Sequence, residues 1–94
     1  MKFQMNDEIE VDVEITFSGL YELKHNNDDD YKKINMILSR GAKDIFDYLF
    51  VIYVGYIIAN KDRKYTYDEF IKYTDFNWLY IARVANSLHS PKKK

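Results

Sequence analysis

Polar and apolar residues alternate without interruption from Glu8 to Phe17. A period of two with β-branched residues on the apolar side predicts a half-buried β-strand. Residues 1–5 alternate in the same way, and Asn6-Asp7 separates the two runs as a turn, so the sequence predicts an antiparallel β-hairpin over residues 1–17. The side chains predicted to face the core from the second strand are Ile9, Val11, Val13, Ile15 and Phe17.

Helical signals begin after the hairpin. Residues 18–24 predict no more than one or two helical turns. The polar run Asn26–Asp30 interrupts the pattern and ends in residues that cap helix N-termini. A helix is then predicted from about Tyr31 to Ser39, and Gly41 follows it in the position that ends many helices.

The strongest helical signal is the segment Ile45–Ala59, in which fourteen of fifteen residues are apolar, aromatic or glycine and Asp47 is the exception. We predict a central helix from Ala42 to Asn60 around this segment. Because it is apolar around nearly its whole circumference, it cannot be a surface helix with one wet face, and it falls short of the about 20 apolar residues that span a membrane. The rest of the chain must therefore wrap it, or part of it must meet a partner.

Two shorter helices are predicted in the last third of the chain. The segment Thr66-Tyr67-Asp68-Glu69 has the form of a capping box and predicts a helix through Tyr73. Asp75 is predicted to cap a last helix from Phe76 to Leu88, which Ser90-Pro91 ends. The apolar stripe of this last helix is predicted to comprise Trp78, Ile81, Ala82 and Ala85.

These elements predict the α+β class, with an N-terminal antiparallel β-hairpin packed on a small bundle of three to four helices. A two-stranded hairpin is marginal in water by itself, so it is expected to pack on the helices. The 94 residues suffice for one domain, which we assign to residues 1–90, followed by a solvated Lys-rich tail at residues 91–94.

Composition narrows the functional classes. A hydrophobic fraction of 47% with 17% aromatic residues argues against disorder. The net charge of −1 provides no basic field for nucleic acid or for an anionic membrane. The chain has no cysteine, which fits a reducing cytosol, and its N-terminus has no secretory signal.

The sequence contains no catalytic or metal-binding motif, so we expect neither an enzyme nor a bound metal or other cofactor. The Asp-rich run that starts at Asp28 lacks the glycine and glutamate of a calcium-binding EF-hand loop. His25 and His89 have no second histidine at i+4 and no cysteine beside them. Asp44 and Asp47 are better explained by the dipole of the central helix than as a catalytic pair.

Five sequence blocks carry a family resemblance. They are Thr16–Lys24 (TFSGLYELK), Ser39–Asp47 (SRGAKDIFD), Ile52–Asn60 (IYVGYIIAN), Tyr65–Phe70 (YTYDEF) and Ser90–Lys94 (SPKKK). In their order and spacing, over nearly the whole chain, they resemble the tail assembly chaperones of long-tailed, siphovirus-type phages and prophages of Gram-positive bacteria. The resemblance implies a cytoplasmic holdase of the host cell that binds the tape measure protein and keeps it soluble. It also implies that a longer form of the protein is made by translational frameshifting. The terminal lysines are compatible with this, because repeated AAA codons form a slippery sequence.

The partners so implied are the tape measure protein, with the tail tube protein as a further candidate, and neither nucleic acid nor a membrane. The excess of tyrosine favours a partner-binding surface. We predict that this surface includes Tyr53, Tyr56, Trp78 and Tyr80, with the acidic face of the hairpin as the next candidate. Self-association through the same surface stays open. The alternatives are a small structural or adaptor protein of a phage virion that acts through protein–protein contacts, and a small enzyme.

Overall fold

The computed structural model describes residues 1–62 and 64–89. Within them the elements are β1 (Lys2–Gln4), β2 (Glu10–Asp12), α1 (Phe17–Asn26), α2 (Asp28–Arg40), α3 (Ile45–Ala59), α4 (Tyr67–Tyr73) and α5 (Trp78–His89). The mixed α+β class is confirmed. The predicted number of three to four helices is wrong, because residues 17–26 form a complete helix of their own. The predicted Ser90-Pro91 stop and the Lys-rich tail lie outside the described residues.

The predicted hairpin is present, with β1 and β2 paired antiparallel so that Phe3 lies opposite Val11. Asn6 forms the turn, since its side-chain oxygen accepts hydrogen bonds from the backbone N–H groups of Glu8 at 2.8 Å and Ile9 at 3.0 Å. On the exposed face, Lys2 pairs with Asp12 at 2.7 Å. The hydrogen bond between these two side chains raises the pKa of Lys2 and lowers the pKa of Asp12.

The second strand is shorter than predicted, because it ends at Asp12 and does not reach Phe17. Val13 is still buried, but Phe17 is 92% exposed, so its predicted inward orientation is wrong. The cause is Thr16, whose hydroxyl accepts the N–H of Gly19 at 3.0 Å and caps α1. The chain therefore changes from the strand period of two to the helical period of 3.6 at Thr16.

Helix α3 forms the centre of the fold, and every residue from Leu49 to Tyr56 is buried. Its most extensive helix–helix contact is with α5. Tyr48 near the start of α3 contacts Trp78 at the start of α5, and Gly55 in the second half of α3 lies against Leu88 near the end of α5. The two helices therefore run side by side in the same direction, and the chain wraps its own most apolar segment.

Side-chain caps define most helix boundaries. Asp44 caps α3 by accepting the N–H of Asp47 at 3.0 Å, so the helix begins at Ile45 and not at Ala42. The predicted capping box at the start of α4 is confirmed. Gly41 ends α2 with a φ of 91°, a backbone conformation that residues with a side chain rarely adopt.

The predicted cap of α5 is wrong. The N–H of Tyr80 donates to the side-chain oxygen of Asn77 at 3.3 Å, so the helix starts at Trp78 and not at Phe76. Asp75 uses its backbone N–H to donate to the carbonyl of Met5 at 2.7 Å. This bond ties the segment between α4 and α5 to the hairpin turn and leaves Phe76 outside the helix.

Candidate protein-binding surfaces

Two of the four predicted partner-binding residues belong to the core. Tyr53 and Tyr56 are each 3% exposed. The Tyr53 ring lies 5.3 Å from that of Phe70, and its hydroxyl donates to the carbonyl of Tyr65 at 3.1 Å. The Tyr56 hydroxyl accepts the N–H groups of Lys64 at 2.6 Å and Tyr65 at 3.0 Å. Both side chains are therefore buried and hold residues 64 and 65, which precede α4, against α3.

The other two predicted residues lie on α5 and differ in accessibility. The Tyr80 ring stacks on Phe3 with centroids 5.5 Å apart, and its hydroxyl accepts the N–H of Gln4 at 2.8 Å. Trp78 is 44% exposed and meets Tyr48 edge-on with ring centroids 5.6 Å apart. Of the four predicted residues, only Trp78 presents a large open surface.

The structure reveals an apolar groove between α1 and α2 that was not among the surfaces predicted from the sequence. We call it the α1–α2 groove; its volume is about 650 Å³. Its apolar lining consists of Phe17, Leu20, Tyr21, Tyr31, Ile34 and Leu38. Phe17 and Tyr21 are the most exposed of these side chains, at 92% and 66%. Ser18, Lys24 and Asn35 are the polar residues along it.

The groove follows from the way in which α1 is joined to α2. Asn27 alone separates the helices, and it serves both. Its backbone N–H donates to the carbonyl of Leu23 at the end of α1, and its side chain accepts the N–H of Asp30 to cap α2. Phe17 and Leu38, from the far ends of the two helices, line the same groove, so the helices form an antiparallel hairpin.

A second exposed apolar surface lies where α5 begins. We call Phe76, Trp78 and Leu79 the α5 entry patch; Phe76 is 81% exposed and Leu79 is 75% exposed. The contact between Trp78 and Tyr48 joins this patch to the start of α3. The sequence signal for the patch was the tight spacing of three large apolar residues beside the capping residue Asn77.

Tyr67, the first residue of α4, lies against the start of α3 and has a shifted pKa. Burial, together with the negative charges of Asp47 and Asp44, raises the pKa of Tyr67 to about 12. Its hydroxyl donates to the carbonyl of Phe46 at 3.3 Å. This hydrogen bond holds α4 against the first turn of α3, so Tyr67 has a structural role.

Within the described residues, no three His, Asp or Glu side chains are grouped so as to hold a metal ion. Among the same residues no helix has the length and apolar character needed to cross a membrane. Comparison of the chain with protein-family models, curated proteins and solved structures found no match.

Sequence reasoning missed the α1–α2 groove because it took Phe17 for the last inward residue of a strand. A signal was nevertheless present. Thr16 is a good N-cap residue, and Phe17, Leu20, Tyr21 and Lys24 follow it at the i, i+3, i+4 and i+7 spacing of one helix face. The cap would have placed these four side chains on a common stripe.

Proposed function

We propose that this chain is a non-enzymatic binding protein, and specifically a tail assembly chaperone of a long-tailed phage or prophage. In this role it binds the tape measure protein in the host cytoplasm and keeps it soluble during tail assembly. The tail tube protein is a further partner under the same proposal. The sequence resemblance supplies the specific role, and the exposed apolar surface of the fold supports the general one.

The observation that carries the proposal is the exposure of large apolar side chains on a chain that has a well-packed core. Phe17 and Tyr21 on α1, together with the α5 entry patch, remain open to solvent, although eighteen hydrophobic residues of the described part of the chain are buried. Single exposed apolar residues are normal on protein surfaces, but grouped ones mark interaction sites. A holdase needs such surface to compete with aggregation of its client.

The chemistry of the groove also favours binding over catalysis. Its walls are mostly apolar. The polar side-chain groups along it are the hydroxyls of Ser18, Tyr21 and Tyr31, the amide of Asn35 and the ammonium of Lys24. Such a lining is suited to covering apolar side chains of a client. General acid–base catalysis would instead require a titratable pair within hydrogen-bonding reach of a substrate.

The test is co-expression with the tape measure protein encoded by the same phage or prophage. We expect this chain to raise the soluble fraction of the tape measure protein and to be recovered with it in a pull-down. A Trp78→Ser/Leu79→Ser variant removes apolar surface at exposed positions, and Asn86→Ser is a matched exposed control on the same helix. The double variant should weaken the complex if the α5 entry patch contributes to binding, whereas Asn86→Ser should leave the complex unchanged.

No complex, together with an unchanged insoluble fraction of the tape measure protein, would contradict the chaperone proposal. A complex that persists in purified virions would instead favour a structural adaptor of the particle. Circular dichroism of each variant ensures that lost binding does not reflect lost folding.

A further inference from the structure

We propose that the α1–α2 groove docks a single amphipathic α-helix of the partner protein, and that this helix has a Glu or Asp beside its apolar stripe to pair with Lys24. The inference deepens the proposed function, on which it rests for taking the occupant to be a protein. It adds the secondary structure of the bound segment and the sign of the charge that the groove selects.

The dimensions of the groove fit a helix of about three turns. Its α1 wall has ten residues, which at about 1.5 Å per residue gives a length of roughly 15 Å. Phe17 and Tyr21 lie on this wall at i and i+4, and Tyr31 and Leu38 lie two turns apart on the wall formed by α2. Two antiparallel helices with such side chains leave a furrow into which the side-chain ridge of a third helix packs.

The walls of the groove favour a helix over an extended peptide. An extended segment gains affinity by pairing its backbone with a free sheet edge. Beyond the first turn of α1, the backbone N–H groups of the two helices are engaged in helical hydrogen bonds, so the groove offers contacts mainly through side chains. A helix brings a backbone that is already hydrogen-bonded, and therefore buries no unpaired N–H or C=O group there.

The β-hairpin also offers little free sheet edge with which an extended segment of a partner could pair. The N–H of Gln4 on β1 already donates to the hydroxyl of Tyr80 at 2.8 Å. On β2, the carbonyl of Asp12 accepts the side-chain amide of Asn60 at 2.9 Å. Both strands are also only three residues long, which leaves little edge for pairing.

Charge identifies the residue expected beside the apolar stripe of the occupant. Lys24 is the charged residue among those that line the groove, and its Nζ lies 5.6 Å from the ring centroid of Tyr31. Among residues 1–62 and 64–89 its ammonium forms no salt bridge. Asp28, one turn before Tyr31 on α2, is already paired with Lys32 at 3.1 Å. A carboxylate on the occupant would therefore complement a positive charge that the groove itself leaves open.

The experiment uses two designed peptides of 18 residues as probes. Both are alanine-rich and helical, with leucine at i, i+3, i+4 and i+7 spacing along one face; one has glutamates beside this stripe and the other has lysines. Fluorescence anisotropy measures their affinity for the full chain and for three variants. Lys24→Glu reverses the groove charge, Tyr21→Ser removes groove surface, and Lys61→Glu makes the same charge change at an exposed position outside the groove.

The glutamate peptide should bind about threefold or more tightly than the lysine peptide, which is the range expected for an exposed ion pair against a like-charge contact. Lys24→Glu should reverse this preference, Lys61→Glu should preserve it, and Tyr21→Ser should weaken both peptides. The net charge of −1 keeps long-range attraction from producing the preference by itself.

Equal affinities of the two peptides, a preference that Lys24→Glu leaves unchanged, or no binding of either peptide would overturn the inference. These failures are distinct from failure of the proposed function. A tape measure protein that is kept soluble by the chain while neither peptide binds would leave the chaperone role standing and exclude this groove mode. Peptide binding with the expected charge reversal, but without any effect on the tape measure protein, would reject the chaperone role and retain the groove as a helix-binding site.

Discussion

Substitution of Gly19 by alanine tests the close approach of α1 to α3. Gly19 lies in the first turn of α1, directly against α3. A Cβ atom built there would lie 2.9 Å from Cγ1 of Ile58 and closer still to its Cγ2. Both atoms branch directly from the Ile58 Cβ, whose χ1 is stiff in a helix, so the side chain cannot swing aside. The helices must therefore separate or shift.

Two opposing terms set the effect of Gly19→Ala on the free energy of unfolding. Replacing a helical glycine with alanine favours folding by roughly 0.5–1 kcal/mol through lower backbone entropy in the unfolded chain. Overpacking at a close contact typically costs about 1–3 kcal/mol. We expect the steric term to win, so that Gly19→Ala lowers the free energy of unfolding by about 1–2 kcal/mol, which for a domain of this size corresponds to a decrease in Tm of roughly 4–16 °C.

The assay is urea unfolding of Gly19→Ala, of Ile58→Ala and of the double variant. Ile58→Ala removes the atoms that the new methyl group would strike, so in that background Gly19→Ala should be neutral or stabilising by up to about 1 kcal/mol. The two sites should therefore show a coupling free energy of about 1–3 kcal/mol. A stabilising effect of Gly19→Ala in the natural background, or an equal cost in both backgrounds, would refute the close packing of α1 on α3.

Three further substitutions test the hairpin and the aromatic core. Val13→Asp places an unpaired charge on the buried face of the hairpin and should unfold the domain or leave it molten. Glu10→Lys on the exposed face should change the melting temperature little. Equal losses of the two variants in thermal melts would mean that the buried and exposed faces of the hairpin are misassigned. Tyr56→Phe leaves two loop N–H groups without their acceptor and should lower the free energy of unfolding by about 1–3 kcal/mol. Chemical denaturation measures this loss, and an unchanged midpoint would mean that water replaces the hydroxyl without cost.

Local sequence signals determined much of the secondary structure. The alternation in residues 8–15 predicted which side chains face inward, because the period of a strand is independent of its surroundings. The capping box at Thr66 and the glycine after α2 marked helix ends, because they satisfy backbone groups within a few residues. The length of the apolar run Ile45–Ala59 identified the central helix, because an apolar run of this length exceeds that of a typical strand.

Tertiary structure decided which aromatic residues are surface and which are core. Tyrosine is common at interfaces, yet the rings of Tyr53, Tyr56 and Tyr80 pack against Phe70 or Phe3. Their hydroxyls form hydrogen bonds with backbone groups outside their own helices. A tyrosine suits both settings, since its ring is apolar and its hydroxyl needs one partner. Only the positions of other elements decide between them.

The α1–α2 groove depended on tertiary structure for the same reason. The sequence by itself determined that Phe17, Leu20 and Tyr21 could share a helix face, once Thr16 is taken as a cap. It could not determine that α2 would fold back at Asn27 and leave that face uncovered. The exposure of a helix face is set by what packs on it, and those contacts join residues that are distant in the chain.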